Sequence, residues 1–319
     1  MTTAFAPKVA VFGAGAVGCY FGGMLARAGK EVTLIGRHDH VDAINTQGLF
    51  FKSINFEELI AVRASTEPSA VKHAQLVLFC VKSGDTDAAA ASIAPYLAPD
   101  AVLLSLQNGV DNVERIRSFV RNEALAGVVY TGVEMSGPGR LTHTGGGKVI
   151  LGHLGGKADT RQQELVKKLA VLFMEAGVSA SISSNIDVEL WSKLVLNCAY
   201  NALSAIGRIY YGPMVAIPEI RRLMTDAVEE AVRIAEAKDI HLPDNMLAAT
   251  FDLAEVMPRT TSSTAQDIAR GRHTEIEHLN GYLAREGEKL GIPTPVNRAL
   301  NALVKLLEHA SAIHKRLRA

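Results

Sequence analysis

Apolar and polar positions alternate differently in the two halves of the chain. In the first half, short β-branched and apolar runs are separated by stretches of helical period. In the second half only the helical period persists. Val9–Phe12 reads as a strand closed by the run Gly13-Ala14-Gly15-Ala16-Val17-Gly18. Helix formers follow through Arg27, Gly29 reads as a helix stop, and Val32–Ile35 supplies a second strand. Two further buried strands are predicted at 76–81 and 102–106, ending at Lys82 and at Gln107-Asn108-Gly109. From 125 to about 183 the chain is richer in strand and glycine. Gly145, Gly146 and Gly147 are expected to form a loop, because no helical pattern follows them, and His143 is expected on the surface or in a hairpin.

From Asp187 onward four amphipathic helices are predicted: "DVELWSKLVLNCAYNALSAIG", "PEIRRLMTDAVEEAVRIAEAKDI", "TAQDIARGRHTEIEHLNGYLAREGEKLG" and "PVNRALNALVKLLEHASAIHKRL". The pattern predicts an α/β Rossmann-type domain over 1–184 and an all-α domain over 185–319.

The glycine run has a mechanical reading. Gly13 permits a tight turn, Gly15 lets backbone N–H groups approach a pyrophosphate, and Gly18 lets the helix pack closely on the strand. Ala14, Ala16 and Val17 complete a dinucleotide-binding turn whose helix N-terminus stabilises phosphate charge. An NAD-selective site ordinarily carries an acid at the end of the second strand. Here Arg37 stands there, suited to a bidentate contact with a 2′-phosphate, so NADP(H) is expected. Asp39 is close enough to be the missing acid, which keeps NAD open. Ligands of doubly wound sheets bind beyond the carboxyl ends of the strands, which makes Lys82 and Asn108 candidates for the same site.

Composition narrows the partners. Lys plus Arg and Asp plus Glu both total 33 in 319 residues, so no bulk basic field exists for nucleic acid or an anionic membrane. No apolar run approaches the about 20 residues needed to span a bilayer. The N-terminus runs directly into a strand rather than resembling a cleaved signal. Three scattered cysteines fit a reduced, cytoplasmic protein. No cluster has metal-ligand spacing, and no G-x-S-x-G motif supports a nucleophilic hydrolase.

The helix "WSKLVLNCAYNAL" carries Lys193, Asn197 and Asn201 at steps of four. Each step turns about 40°, so the three form one polar stripe about 12 Å long. Burying an ammonium and two amides against an apolar core would cost several kcal/mol. The stripe therefore faces water, a polar cleft or a ligand, and its apolar flanks argue against an ordinary solvated face. Ser262 or Ser263 could cap a helix starting near Thr264, with Gln266 or Asp267 closing a capping box. Hydroxyls and N–H groups at a helix start also receive carboxylates. Glu275 is expected three turns along that same helix, by composition a solvated glutamate.

The segments "GAGAVG", "CVKSGDT", "LQNGV", "WSKLVLNCAYNAL" and "SSTAQDIARGRHTEIEHLNG", in this order, resemble the ketopantoate reductases (2-dehydropantoate 2-reductases) over nearly the whole chain. The resemblance implies reduction of ketopantoate to pantoate with NADPH, on the route to pantothenate and coenzyme A. It also implies a helical domain like the C-terminal one of 6-phosphogluconate dehydrogenase. By the same resemblance Lys193 is the catalytic lysine, Asn197 and Asn201 contact substrate, and Ser263 holds the substrate carboxylate. Arg37, Lys82 and Val133 belong to the NADP site. Asn108 lies between nicotinamide and substrate, and Glu275 acts near the nicotinamide end. The substrate is expected between the two domains, with Lys193 as general acid and Glu275 fixing the lysine or a substrate hydroxyl.

Thr260, Thr264 and Tyr211 depart from the family's pattern or vary within it, and put the substrate's identity in question. A reductase of another 2-oxo acid, an opine-type dehydrogenase and a non-catalytic NADPH sensor are the alternatives. The apolar surface of the carboxy-terminal helices would also suit a homodimer.

Overall fold

The computed structural model describes residues 5–156 and 158–318, with residues 312–318 described by backbone alone. The chain divides into two compact units, one running through Gln107 and from Asp111 to Glu189, the other comprising Asn108–Val110 and Leu190 onward.

The first unit opens with β1 (Val9–Phe12), α1 (Ala16–Arg27), β2 (Val32–Ile35) and α2 (His38–Gln47), followed by three short strands, β3 (Leu49–Lys52), β4 (Glu57–Ile60) and β5 (Arg63–Ser65). Next come β6 (Leu76–Phe79), α3 (Thr86–Ile93), β7 (Val102–Ser105) and α4 (Asn112–Arg117). Two long strands, β8 (Ala124–Gly137) and β9 (Arg140–Gly152), precede α5 (Thr160–Glu175) and β10 (Ser179–Ile182). The strands form one ten-stranded sheet in the order β4-β3-β9-β8-β7-β6-β1-β2-β5, with β10 on β9. Neighbours from β8 through β7, β6, β1 and β2 to β5 are parallel, while β8 and β9 pair antiparallel. All four residues of β6 are buried, as expected for a strand covered on both faces. Asp159 caps α5 in a capping box with Gln162.

Two expectations fail in β9. Gly145, Gly146 and Gly147 lie inside the strand, not in a loop. Register shifts between Tyr130 and Thr131, leaving Gly147 as the bulged residue opposite no partner. At Gly147, φ is +110° and an added Cβ would fall 2.3 Å from Tyr20 Oη, so only glycine fits. His143 is buried at 6% exposure rather than on the surface. Its Nε2 lies 3.1 Å from the Gly145 carbonyl, which can only accept, so that nitrogen carries the proton; Ser53 Oγ lies 3.0 Å from Nδ1.

The second unit is helical: α6 (Ile186–Gly207, entering it at Leu190), α7 (Tyr211–Val215), α8 (Pro218–Ala237), α9 (Met246–Val256), α10 (Ser263–Ala269), α11 (Asn280–Leu290) and α12 (Pro295–Arg318). The helix expected from Thr264 through Gly291 is interrupted. α10 ends at Ala269, Gly271 takes φ +60°, and a 3-10 turn at Ile276–His278 precedes α11. Glu275 therefore does not share a helix with Ser263. Among the described residues, no helix is long and apolar enough to cross a membrane, and no group of three or more His, Cys, Asp or Glu is placed to hold a metal ion.

A buried polar chain ties four of these helices together. Glu230 on α8, 2% exposed, accepts the N–H groups of Val296 (2.8 Å) and Asn297 (2.9 Å) in the first turn of α12, and the Asn297 amide (2.8 Å). Asn280 on α11 donates to Asn297 Oδ1 (2.9 Å) and to the Cys198 carbonyl on α6 (3.0 Å). The carboxylate also complements the α12 dipole. Glu230→Ala leaves buried N–H groups without an acceptor and should lower stability by about 3 kcal/mol, measured by urea denaturation.

Candidate active site

β2, β1, β6 and β7 are consecutive parallel neighbours, so their carboxyl ends share one edge of the sheet. Four segments leave from that edge: the glycine turn after β1, Arg37 after β2, Lys82 after β6 and Asn108 after β7. Arg37 and Lys82 are exposed. Val133 departs from this cluster. It lies on the extension of β8 beyond the β7 pairing, opposite His143, and packs against the sheet's core.

The glycine turn fits a dinucleotide. Gly13 has φ +108°, and a Cβ there would lie 2.6 Å from the backbone of Cys80 and Val81; at Gly18 it would meet the Gly13 carbonyl at 2.1 Å. Both positions are closed by the protein's own backbone. At Gly15, by contrast, a Cβ would meet nothing within 4 Å, so open space lies against the N-cap of the twelve-residue α1. No acidic side chain stands in that first turn to oppose an anion. These residues could hold a pyrophosphate.

In the helical unit the polar stripe is neither solvated nor sealed. Asn201 is buried at 3% exposure, and Lys193 and Asn197 are half-buried. Burial pushes the Lys193 ammonium down from the usual lysine range to about 8, and the negative charge of Glu275 partly opposes that fall. Glu275 Oε2 in turn accepts from Asn108 Nδ2 at 3.0 Å. Lysine, glutamate and asparagine thus form one electrostatic group, although Glu275 sits on an irregular segment rather than on α10.

The two serines have different surroundings. Ser262 is the N-cap of α10: its Oγ accepts from the Ala265 N–H (3.0 Å) and donates to the Asn201 carbonyl (3.0 Å), while its own N–H donates to Ser204 Oγ (3.2 Å). With Ser262 at the cap, the third helical residue is Ala265, so Gln266 and Asp267 close no capping box. Ser263 is exposed at the start of the helix. Thr264 is buried, and Tyr211 packs its ring 4.4 Å from Tyr200 while its N–H donates to the Thr260 carbonyl (3.0 Å). Sequence reasoning missed Ser204 and Tyr200, which lie on α6 beside the polar stripe, each seven residues after one of its members (Asn197 and Lys193). Ser204 accepts from the Ser262 N–H and the Tyr200 hydroxyl donates to the Thr250 carbonyl.

A family model described as ketopantoate reductase PanE/ApbA matches residues 9–156, and its C-terminal counterpart matches 185–308. The 2-dehydropantoate 2-reductase of Halobacterium salinarum is 31% identical, over 94% of this chain and 99% of that protein. Among solved structures, the PanE/ApbA family ketopantoate reductase of Ralstonia eutropha JMP134 is 49% identical, covering 96% of this chain and 99% of that one, with a TM-score of 0.89. A ternary structure of D-mandelate dehydrogenase with NADH and anilino(oxo)acetate has the same TM-score at 28% identity, covering 96% and 99%. A Rossmann-type unit with an open glycine turn, joined in one chain to a helical unit with a half-buried lysine, defines a nicotinamide-dinucleotide oxidoreductase. The chain belongs to the ketopantoate reductase PanE/ApbA family, whose enzymes act on CH–OH donors.

Glu275→Gln removes the charge that holds the Lys193 proton in place. The Lys193 pKa should then fall below about 8, read by NMR of the isotopically methylated lysine.

Proposed function

We propose that this chain reduces 2-dehydropantoate to pantoate with NADPH, the step that supplies pantoate to pantothenate and coenzyme A synthesis. The bound cofactor supplies a hydride for the C2 carbonyl carbon. As that carbon is reduced, its oxygen gains negative charge, and Lys193 Nζ donates the proton that completes the alcohol. Asn197 and Asn201 orient the substrate's polar groups, and the exposed Ser263 hydroxyl receives its carboxylate. Glu275 holds the lysine's charge, and Asn108 bridges the cofactor and substrate contacts. The turn from Gly13 through Gly18 takes the pyrophosphate, and Arg37 and Lys82 take cofactor phosphates.

The observation that carries this reading is the half-buried Lys193, its pKa brought to about 8 in the company of Glu275 and Asn108. A sensor that binds NADPH without turnover has no use for a proton donor so placed. The likeness to D-mandelate dehydrogenase supports a second reading, reduction of another 2-oxo acid, with NADH as a candidate cofactor. A substrate panel of ketopantoate, benzoylformate, branched 2-oxo acids and 2-oxo acid plus amine separates these readings and an opine-type reaction.

Lys193→Ala should lower kcat by about 100-fold or more, followed by loss of NADPH absorbance; a near-normal kcat removes the lysine from the chemistry. Reduction needs the charged lysine, so the wild-type rate should decline as pH rises through about 8. Arg37→Ala should raise KM for NADPH about tenfold or more while leaving NADH use little changed. Equal losses for both cofactors would mean that Arg37 does not read the 2′-phosphate.

A further inference from the structure

Beneath the loops that carry Lys82 and Asn108, the first unit holds a closed chain of buried polar groups with no part in the chemistry above. Gln107 is 7% exposed. Its Oε1 accepts from Ser105 Oγ (3.0 Å), and its Nε2 donates to the Val81 carbonyl (3.1 Å) and to Thr86 Oγ1 (2.8 Å). The Thr86 hydroxyl in turn donates to Asn112 Oδ1 (3.0 Å).

The direction of each bond follows from the partners. The Val81 carbonyl can only accept, so the amide nitrogen must face it. Thr86 has one proton, committed to Asn112, and therefore offers a lone pair to the same nitrogen. The amide oxygen is left for Ser105. A carboxylate in place of this amide would set an acceptor against the Val81 carbonyl, which can only accept.

The position of the amide matters more than its satisfaction. β6 and β7 end at the pair Phe79 and Ser105, and one more backbone bond, Leu106 N–H to the Phe79 carbonyl (3.0 Å), closes the ladder. The next tie between the two exits is made by a side chain, from Gln107 to Val81. Val81 is bonded to Lys82 and Gln107 to Asn108, so the tie lies one residue before each candidate ligand. Arg115 restrains the same loop further on, donating to the Ser83 carbonyl (2.8 Å) and to Asp87 (2.7 Å).

We propose that Gln107 is a positioning residue: its carboxamide fixes the separation of the β6 and β7 exits, and with it the attitude in which Lys82 meets the cofactor and Asn108 meets the substrate. The proposal rests on the reductase reading above. Asn108 also donates to Glu275, so a displaced Asn108 disturbs the lysine's counter-charge as well.

The test compares Gln107→Met, which keeps length and removes polarity, and Gln107→Glu with Ser105→Ala, which deletes only the bond to Oε1. For each, the NADPH dissociation constant is read by fluorescence titration, kcat by NADPH absorbance, exchange of the Lys82 amide by mass spectrometry, and Tm by calorimetry. Both Gln107 variants should weaken NADPH binding and lower kcat about tenfold each, with faster exchange at Lys82, and Ser105→Ala should stay within about twofold on both constants. Gln107 variants with a lowered Tm but unchanged binding, kcat and Lys82 exchange would overturn the proposal. Should Gln107→Met not fold, Gln107→Asn, one methylene too short to reach Val81, is read in the same way. A wild-type protein that fails to oxidise NADPH in the presence of any 2-oxo acid of the panel would instead overturn the reductase reading, and that result is visible before any variant is made.

Discussion

Helix α6 carries a charge and two amides through an apolar body, and side chains from other elements hold its backbone in place. Its own i to i−4 bonds use one lone pair of each carbonyl, and side chains from other elements use the second at chosen points. Asn280 donates to the Cys198 carbonyl and Ser262 to the Asn201 carbonyl. The Tyr200 hydroxyl, leaving α6, donates to the Thr250 carbonyl on α9 (2.6 Å). These directional contacts fix rotation and translation of the helix together, which hydrophobic packing alone leaves softer. Lys193, Asn197 and Asn201 inherit that fixed frame.

The first unit meets a different constraint. Its parallel strands bring the glycine turn, Arg37 and Lys82 to one edge because consecutive parallel neighbours must all point the same way. What sheet pairing does not set is how the loops lie once the ladder ends. Glycine crowding at Gly13 and Gly18 settles this for the first loop, and buried side-chain bonds settle it for the two that follow β6 and β7. The two units therefore use opposite means for the same end: backbone acceptors recruited by side chains in one, and strand exits braced by them in the other.

How much of this is legible in the sequence depends on the range of the interaction. The turn at Gly13 to Gly18 and the stripe at 193, 197 and 201 are local, periodic signals, and both stand in the structure where the pattern puts them. Ser262 and Ser263 are indistinguishable as letters; only contact with Asn201 and Ser204 makes the first the cap and leaves the second exposed. The sequence pattern carries Glu275 on a continuous helix because one glycine at 271 is a weak break signal beside a strong apolar period. The glycine triplet at 145–147 reads as a loop, and His143 as a surface residue, for one reason: β9 is held by its hairpin pairing with β8, and glycines carry no alternation to betray a strand.

The lowered basicity of Lys193 bears on what happens after a turnover, on the proposed chemistry. A donor that has given up its proton must be recharged before the next cycle. A group with a midpoint near 8 does this at neutral pH by simple exchange with water, so charged molecules outnumber spent ones by roughly ten to one. On that proposal, partial enclosure of one side chain would serve both halves of the cycle, loosening the proton for delivery while leaving the resting enzyme loaded.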